Sequence, residues 1–211
     1  MHSIRKYVLI GLAALMVCAV AASAASATTV RSVSAAGSPY TGSVSGSSVG
    51  STTLTSSSLG TVTCTGSTFA GSTNPSGAGT LTSLAYSGCT NVSGSCTVST
   101  TASAGSPWSA NTAFDAGHSV GRDGTMTVTV PTNGATVTCS VFGFPLTCKY
   151  SRTAGLVGNM FNPTNAGALN SKGTVKFSSV TLTGDTCGDT ATWNANYNIV
   201  GAGNVNLFVT A

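Results

Sequence analysis

Strict period-two alternation constrains this chain more than any other feature. In residues 192–199, Trp193, Ala195, Tyr197 and Ile199 alternate with Thr192, Asn194, Asn196 and Asn198. In residues 125–130, Met126, Val128 and Val130 alternate with Thr125, Thr127 and Thr129. Successive side chains on a strand point to opposite faces, so each segment has one buried face and one wet face. Gly201-Ala202-Gly203 turns the chain into Val205, Leu207 and Val209. After Pro131, Asn133-Gly134 is expected to make a hairpin turn into residues 135–141. Composition agrees with strands. Gly, Ser and Thr fill about two-fifths of the 211 residues, Glu is absent and only 6% are charged. A coiled coil needs Ala, Glu, Lys and Leu at helical spacing. Disorder needs high net charge and few β-branched or aromatic residues. The expected fold is all-β, an antiparallel β-sandwich. Residues 153–161 (TAGLVGNMF) offer a turn or two of helix, weakened by Gly155 and Gly158.

Two parity breaks refine the strands. Val175 and Phe177 share one face, while Val180 and Leu182 fall on the other; Leu81 is likewise out of phase with Leu84 and Tyr86. A β-bulge at Ser178-Ser179 and another near Ser83 restores the inward face in each case.

The N-terminus reads as a secretory signal over residues 1–27. His2, Arg5 and Lys6 precede an apolar run over residues 8–22, and cleavage is expected after Ala27. Cys18 lacks the small preceding residue of a lipid-anchor box, and no second apolar run reaches spanning length. The mature chain then carries six basic residues (Arg31, Arg122, Lys149, Arg152, Lys172, Lys176) against Asp115, Asp123, Asp185 and Asp189. These are scattered, whereas a nucleic-acid surface needs a dense basic stripe. Residues 28–58 are low-complexity Ser, Thr, Gly and Ala, expected to be partly ordered and to supply one or two edge strands. Residues 59–211 are expected to form the sandwich.

Six cysteines remain: Cys64, Cys89, Cys96, Cys139, Cys148 and Cys187. An even number in an exported chain reads as about three disulfides, and the spacings and the single mature histidine, His118, do not suit zinc. Proximity favours Cys89–Cys96, Cys139–Cys148 and Cys64–Cys187. A faint echo between residues 61–64 (TVTC) and 136–139 (TVTC) supports Cys64–Cys89 and Cys139–Cys187 instead.

Catalytic candidates are few. Residues 46–50 (GSSVG) match the G-x-S-x-G elbow but lie in low-complexity sequence. His118 with Asp115 is the one base–acid pair, and Asp185 and Asp189 around Cys187 read as a tight polar turn. A non-enzyme without cofactor or metal is expected. Two apolar features sit where turns are normally polar. Phe142, Phe144 and Leu146 lie between Cys139 and Cys148, and Trp108 follows Pro107. They either plug an open end or form a contact patch for a hydrophobic ligand, lipid or partner. Asn194, Asn196 and Asn198, with Thr192, form a polar ladder that reads as a wet sheet face, the alternative being sugar binding or self-stacking.

Residues 63–67 (TCTGS), Ser87-Gly88-Cys89, Cys96-Thr97-Val98, Pro107-Trp108 and 188–193 (GDTATW) resemble exported actinobacterial Ser/Thr/Gly-rich β proteins without assigned activity. The resemblance covers roughly residues 60–200 and implies location and fold, not chemistry. Residues 64–108 are also similar to exported alkane-oxidation activator proteins, which implies a cell-surface role in hydrocarbon use or biofilm. Neocarzinostatin-type carriers share composition and stapled sandwich, with different cysteine loops. The expected function is that of a non-catalytic exported cell-surface or envelope protein, acting by adhesion or assembly with an envelope component or itself. The alternative is a secreted carrier of a hydrophobic small molecule, with a hydrolase a remote third.

Overall fold

The computed structural model describes residues 27–211, so the proposed leader lies almost entirely outside the described residues. Twelve strands follow in order: β1 (Thr29–Ser32), β2 (Gly42–Ser48), β3 (Thr52–Ser56), β4 (Gly60–Thr73), β5 (Ala78–Asn91) and β6 (Gly94–Thr100). Then come β7 (Trp108–Phe114), β8 (Gly124–Val141), β9 (Phe144–Phe161), β10 (Gly173–Gly184), β11 (Thr190–Gly201) and β12 (Leu207–Thr210). Neighbouring strands run antiparallel. β2 and β3 lie end to end between β4 and β11, and β6 and β7 lie end to end between β5 and β8. The main sheet thereby closes on itself as an eight-strand up-and-down barrel.

This corrects the expected sandwich. Alternation reports one buried and one wet face, which a sandwich layer and a barrel wall share. The deciding contact is β11 with β2 and β3, Tyr197↔Ser48 and Trp193↔Leu54 among its pairs. Those closing strands come from the low-complexity stretch. Their own apolar content is small, but each is paired on both sides.

Inward positions fill the barrel with Val62, Phe69, Leu81, Trp108, Val130, Val137, Tyr150, Val175, Phe177, Trp193 and Tyr197, all buried. An eight-strand barrel is just wide enough for side chains to fill. Trp193 stacks at a tilt on Phe177 at 4.9 Å, and Phe69 meets Tyr197 edge-on at 5.3 Å. The phenol of Tyr197 is hydrogen-bonded with Ser67 Oγ at 2.8 Å, and burial pushes its pKa up to about 12. Burial and the Tyr197 phenol also push Tyr86 up. Outward positions carry Thr, Ser and Asn. Thr181, Thr192, Thr55 and Thr61 stand side by side on β10, β11, β3 and β4, and Thr55 and Thr61 are bonded at 3.1 Å.

Both bulges fall where parity demanded. The β10–β11 register shifts between Phe177 and Val180, and the β4–β5 register shifts so that Ala70 faces Ser83 while Gly71 faces Leu81. Two local expectations fail. Asn133-Gly134 makes no hairpin: β8 runs through it, Asn133 taking φ 57° inside an irregularity opposite β9. Left-handed backbone serves a bulge as well as a turn, and here the Asn133 amide is held by Asp185 at 2.7 Å. The β8–β9 turn is residues 142–143, where Phe142 and Gly143 have φ 51° and 85°. Residues 153–161 are strand, with Gly155 at φ 91°; sheet pairing to β8 overrides any helical tendency.

The disulfides are Cys64–Cys89, Cys96–Cys139 and Cys148–Cys187. None of the three proximity pairs forms. Of the echo pairs, Cys64–Cys89 forms and Cys139–Cys187 does not. In a meander each inward cysteine has a neighbour on either side. Sequence closeness does not choose between them. Cys64 faces Cys89 across β4–β5, and Cys96 faces Cys139 across β6–β8. Three disulfides fit an oxidising, extracellular-type environment.

At the other end the two-stranded β1–β12 sheet covers the barrel, burying Val30, Leu207, Phe208 and Val209. Arg31 ties it down by donating to Thr210 Oγ1 at 3.1 Å and to the Gly37 carbonyl at 2.9 Å.

Candidate functional site

The meander sends four turns to the end opposite the β1–β12 cover: residues 57–59, 92–93, 142–143 and 185–189. All three disulfides lie at this end: five of their cysteines sit on strands close to those turns, and Cys187 lies within the 185–189 turn. Leu59 folds inward and is buried, and its carbonyl accepts from Asn91 Nδ2 at 3.1 Å, linking two of the turns. The tips are braced by covalent and hydrogen bonds.

On this frame Phe142 is 89% exposed, Phe144 76% and Val92 95%. The β8–β9 hairpin projects beyond its neighbours. The β6–β8 ladder ends at Cys96↔Cys139 and the β9–β10 ladder at Gly184↔Tyr150, so residues 140–147 find ladder partners only across the β8–β9 hairpin itself. Val141 and Leu146 pack half-buried on the core. An apolar path therefore runs from the interior, past Val141 and Leu146, to exposed Phe144 and Phe142. Of the four apolar residues singled out in the sequence, three share this hairpin. Trp108 does not: it is buried inside the barrel, its Nε1 donating to Thr101 Oγ1 at 3.1 Å.

Val92 has no mark in a propensity reading, but the charge pattern points to this end. No charged side chain occurs between Arg31 and Asp115, nor between Asp123 and Lys149. The first three turns come from these charge-free stretches. Only residues 185–189 bring carboxylates, and both are engaged. Asp185 accepts from the Asn133 amide and from Ser151 Oγ, each at 2.7 Å. Burial pushes the Asp189 carboxyl up, yet hydrogen bonds from Ser58, Ser56 and Ser57 outweigh it and hold its pKa below the usual carboxylate value.

No family model, curated protein or solved structure matches the chain.

His118 and Asp115 lie at the far end and do not form a dyad. Asp115 is taken up by Arg122 Nε, at 2.6 Å, and by the amides of Gly117 and Ser119. The Arg122 guanidinium, helped by those amides, holds the Asp115 pKa below its usual value. His118 Nδ1 faces the Arg122 carbonyl at 3.2 Å and Asp123 at 3.6 Å. Ser48 of the GSSVG string ends β2, and its Oγ accepts the Ser67 amide at 2.9 Å; the chain then enters β3, not a helix. Asn194 accepts the Ser179 amide at 2.7 Å, so part of the asparagine ladder serves the β10 bulge. Among the described residues, no group of three His, Cys, Asp or Glu side chains is placed to hold a metal ion. No described helix is long and apolar enough to cross a membrane.

The interior holds three apolar cavities of about 40, 30 and 40 Å³. Phe69, Leu81 and Met126 are common to the first pair, and Leu84, Trp108, Leu156 and Trp193 to the second, so they line up through the barrel.

Proposed function

We propose that this is a non-catalytic exported protein of the cell surface or envelope, acting by adhesion or assembly through the disulfide-braced end. One observation carries the reading: three large apolar side chains, 76–95% exposed, stand on turns held rigid by three disulfides. Scattered exposed apolar residues need no explanation, but a cluster of aromatic tips on a braced frame does. Rigidity lowers the ordering entropy lost on contact. Protease shaving of intact native cells, followed by fractionation, tests it. Cell-bound, protease-sensitive protein supports the reading; free protein in the medium overturns it.

A second reading, a carrier of a hydrophobic small molecule, draws on the row of interior cavities. Each holds little more than a water or two as it stands, so uptake requires Trp108 or Trp193 to move. Saturable uptake of an alkyl probe, abolished by Leu84→Phe, is its signature.

A further inference from the structure

We propose that the braced end docks on an electrically neutral lipid surface, with Phe142, Phe144 and Val92 entering the boundary between headgroups and acyl chains. The inference rests on reading this end as the contact surface and names what it touches. Shape comes first. The three side chains stand on two separate turns and are almost wholly free, so they form a convex, discontinuous apolar surface. A protein partner needs matching sockets for each; a bilayer boundary yields to any convex shape.

Backbone pairing is the other way a protein docks on a free hairpin. Pro145 obstructs it, because it faces Ser140 in the β8–β9 ladder and has no N–H to offer a strand adding to β9. Along the β9 edge, contact chemistry is thus left to the side chains. The hairpin's closing ladder pair, Val141↔Phe144, satisfies backbone groups that would otherwise resist entering an apolar phase.

Charge then chooses the kind of surface. The turns bearing Val92 and Phe142 come from charge-free sequence, so their desolvation removes no ion from water. The carboxylates at this end, Asp185 and Asp189, oppose an anionic surface, and the adjoining strand β9 brings only two cations, Lys149 and Arg152. No basic cluster is present to favour anionic headgroups. Polar Asn91 and Ser93 flank Val92 in the chain, and Ser140 and Thr147 flank the apolar tip of the β8–β9 hairpin, which limits immersion to the outer boundary.

Flotation of the disulfide-intact protein with vesicles of zwitterionic phosphatidylcholine is the test. The expected result is binding that changes little between low and high salt. It falls by about tenfold or more for each ring removed in Phe142→Ser and Phe144→Ser, and is unaltered by Val157→Ser on the barrel wall. Unchanged near-ultraviolet circular dichroism shows the variants fold. Trp108 and Trp193 are buried, so in a Phe142→Trp variant the new indole reports immersion by a blue shift on vesicles. Binding only to anionic vesicles, abolished by salt, overturns the proposal. So does no vesicle binding by a folded protein. If cells still retain the wild type through the tips in that case, the contact-end reading survives and its partner is a protein.

Discussion

At the residue scale, contact and stability separate at the hairpin tip. Phe142 and Phe144 are almost free of intramolecular packing, so replacing both with Ser changes unfolding free energy by no more than about 0.5 kcal/mol. Urea unfolding checks this. Phe69 is the opposite case: buried against Tyr197 and over Gly46, it is expected to cost about 3–5 kcal/mol when replaced by Ala. The buried Tyr197 phenol adds a pH dependence. Its folded pKa of about 12 lies above its ordinary 10.0. Its contribution is therefore fully present below pH 10 and is lost as pH rises from 10 through about 12. Two pH units correspond to about 3 kcal/mol. Stability measured by urea at pH 9 and pH 11.5 is expected to fall accordingly, and Tyr197→Phe is expected to remove part of the fall, the rest coming from Tyr86 and Tyr150, whose pKa values burial also raises.

At the element scale, barrel closure rests on β2 and β3. A chain of residues 59–211 alone leaves β4 and β11 with open edges and an uncovered core. It is expected to lack a cooperative unfolding transition, and circular dichroism with urea titration decides. Strands were the legible part of the sequence. The alternation at Thr192–Ile199 and the parity breaks at Ser83 and Ser178-Ser179 mark strand faces and bulges, because inward positions must be apolar. Closure was not legible, because β2 and β3 carry few apolar residues and are held by pairing on both sides. Nor was disulfide pairing, since a meander flanks each inward cysteine with two neighbours. At the candidate site, the Phe142 hairpin was visible as apolar residues in a turn. Trp108 shared that description but was drawn inward. Val92 became visible only once the fold had set its turn beside that of Phe142.

At the scale of the whole molecule, the two ends of the barrel differ in kind. One is covered by β1–β12 and carries the ion pair of Arg122 with Asp115. The other holds all the disulfides and the exposed aromatic tips. Removing Cys64–Cys89 by double Ala substitution is expected to cost about 2–5 kcal/mol in urea unfolding, and to weaken contact even where the barrel still folds, because the tips lose their bracing. On the proposed function, the disulfide-braced end is what engages the envelope. The most direct test is retention on native cells of wild type, the Phe142→Ser/Phe144→Ser variant and a Val157→Ser control at equal expression. Wild type and control are expected to stay with cells while the tip variant passes into the medium. Equal retention of all three, with the tip variant folded, would contradict the proposed function.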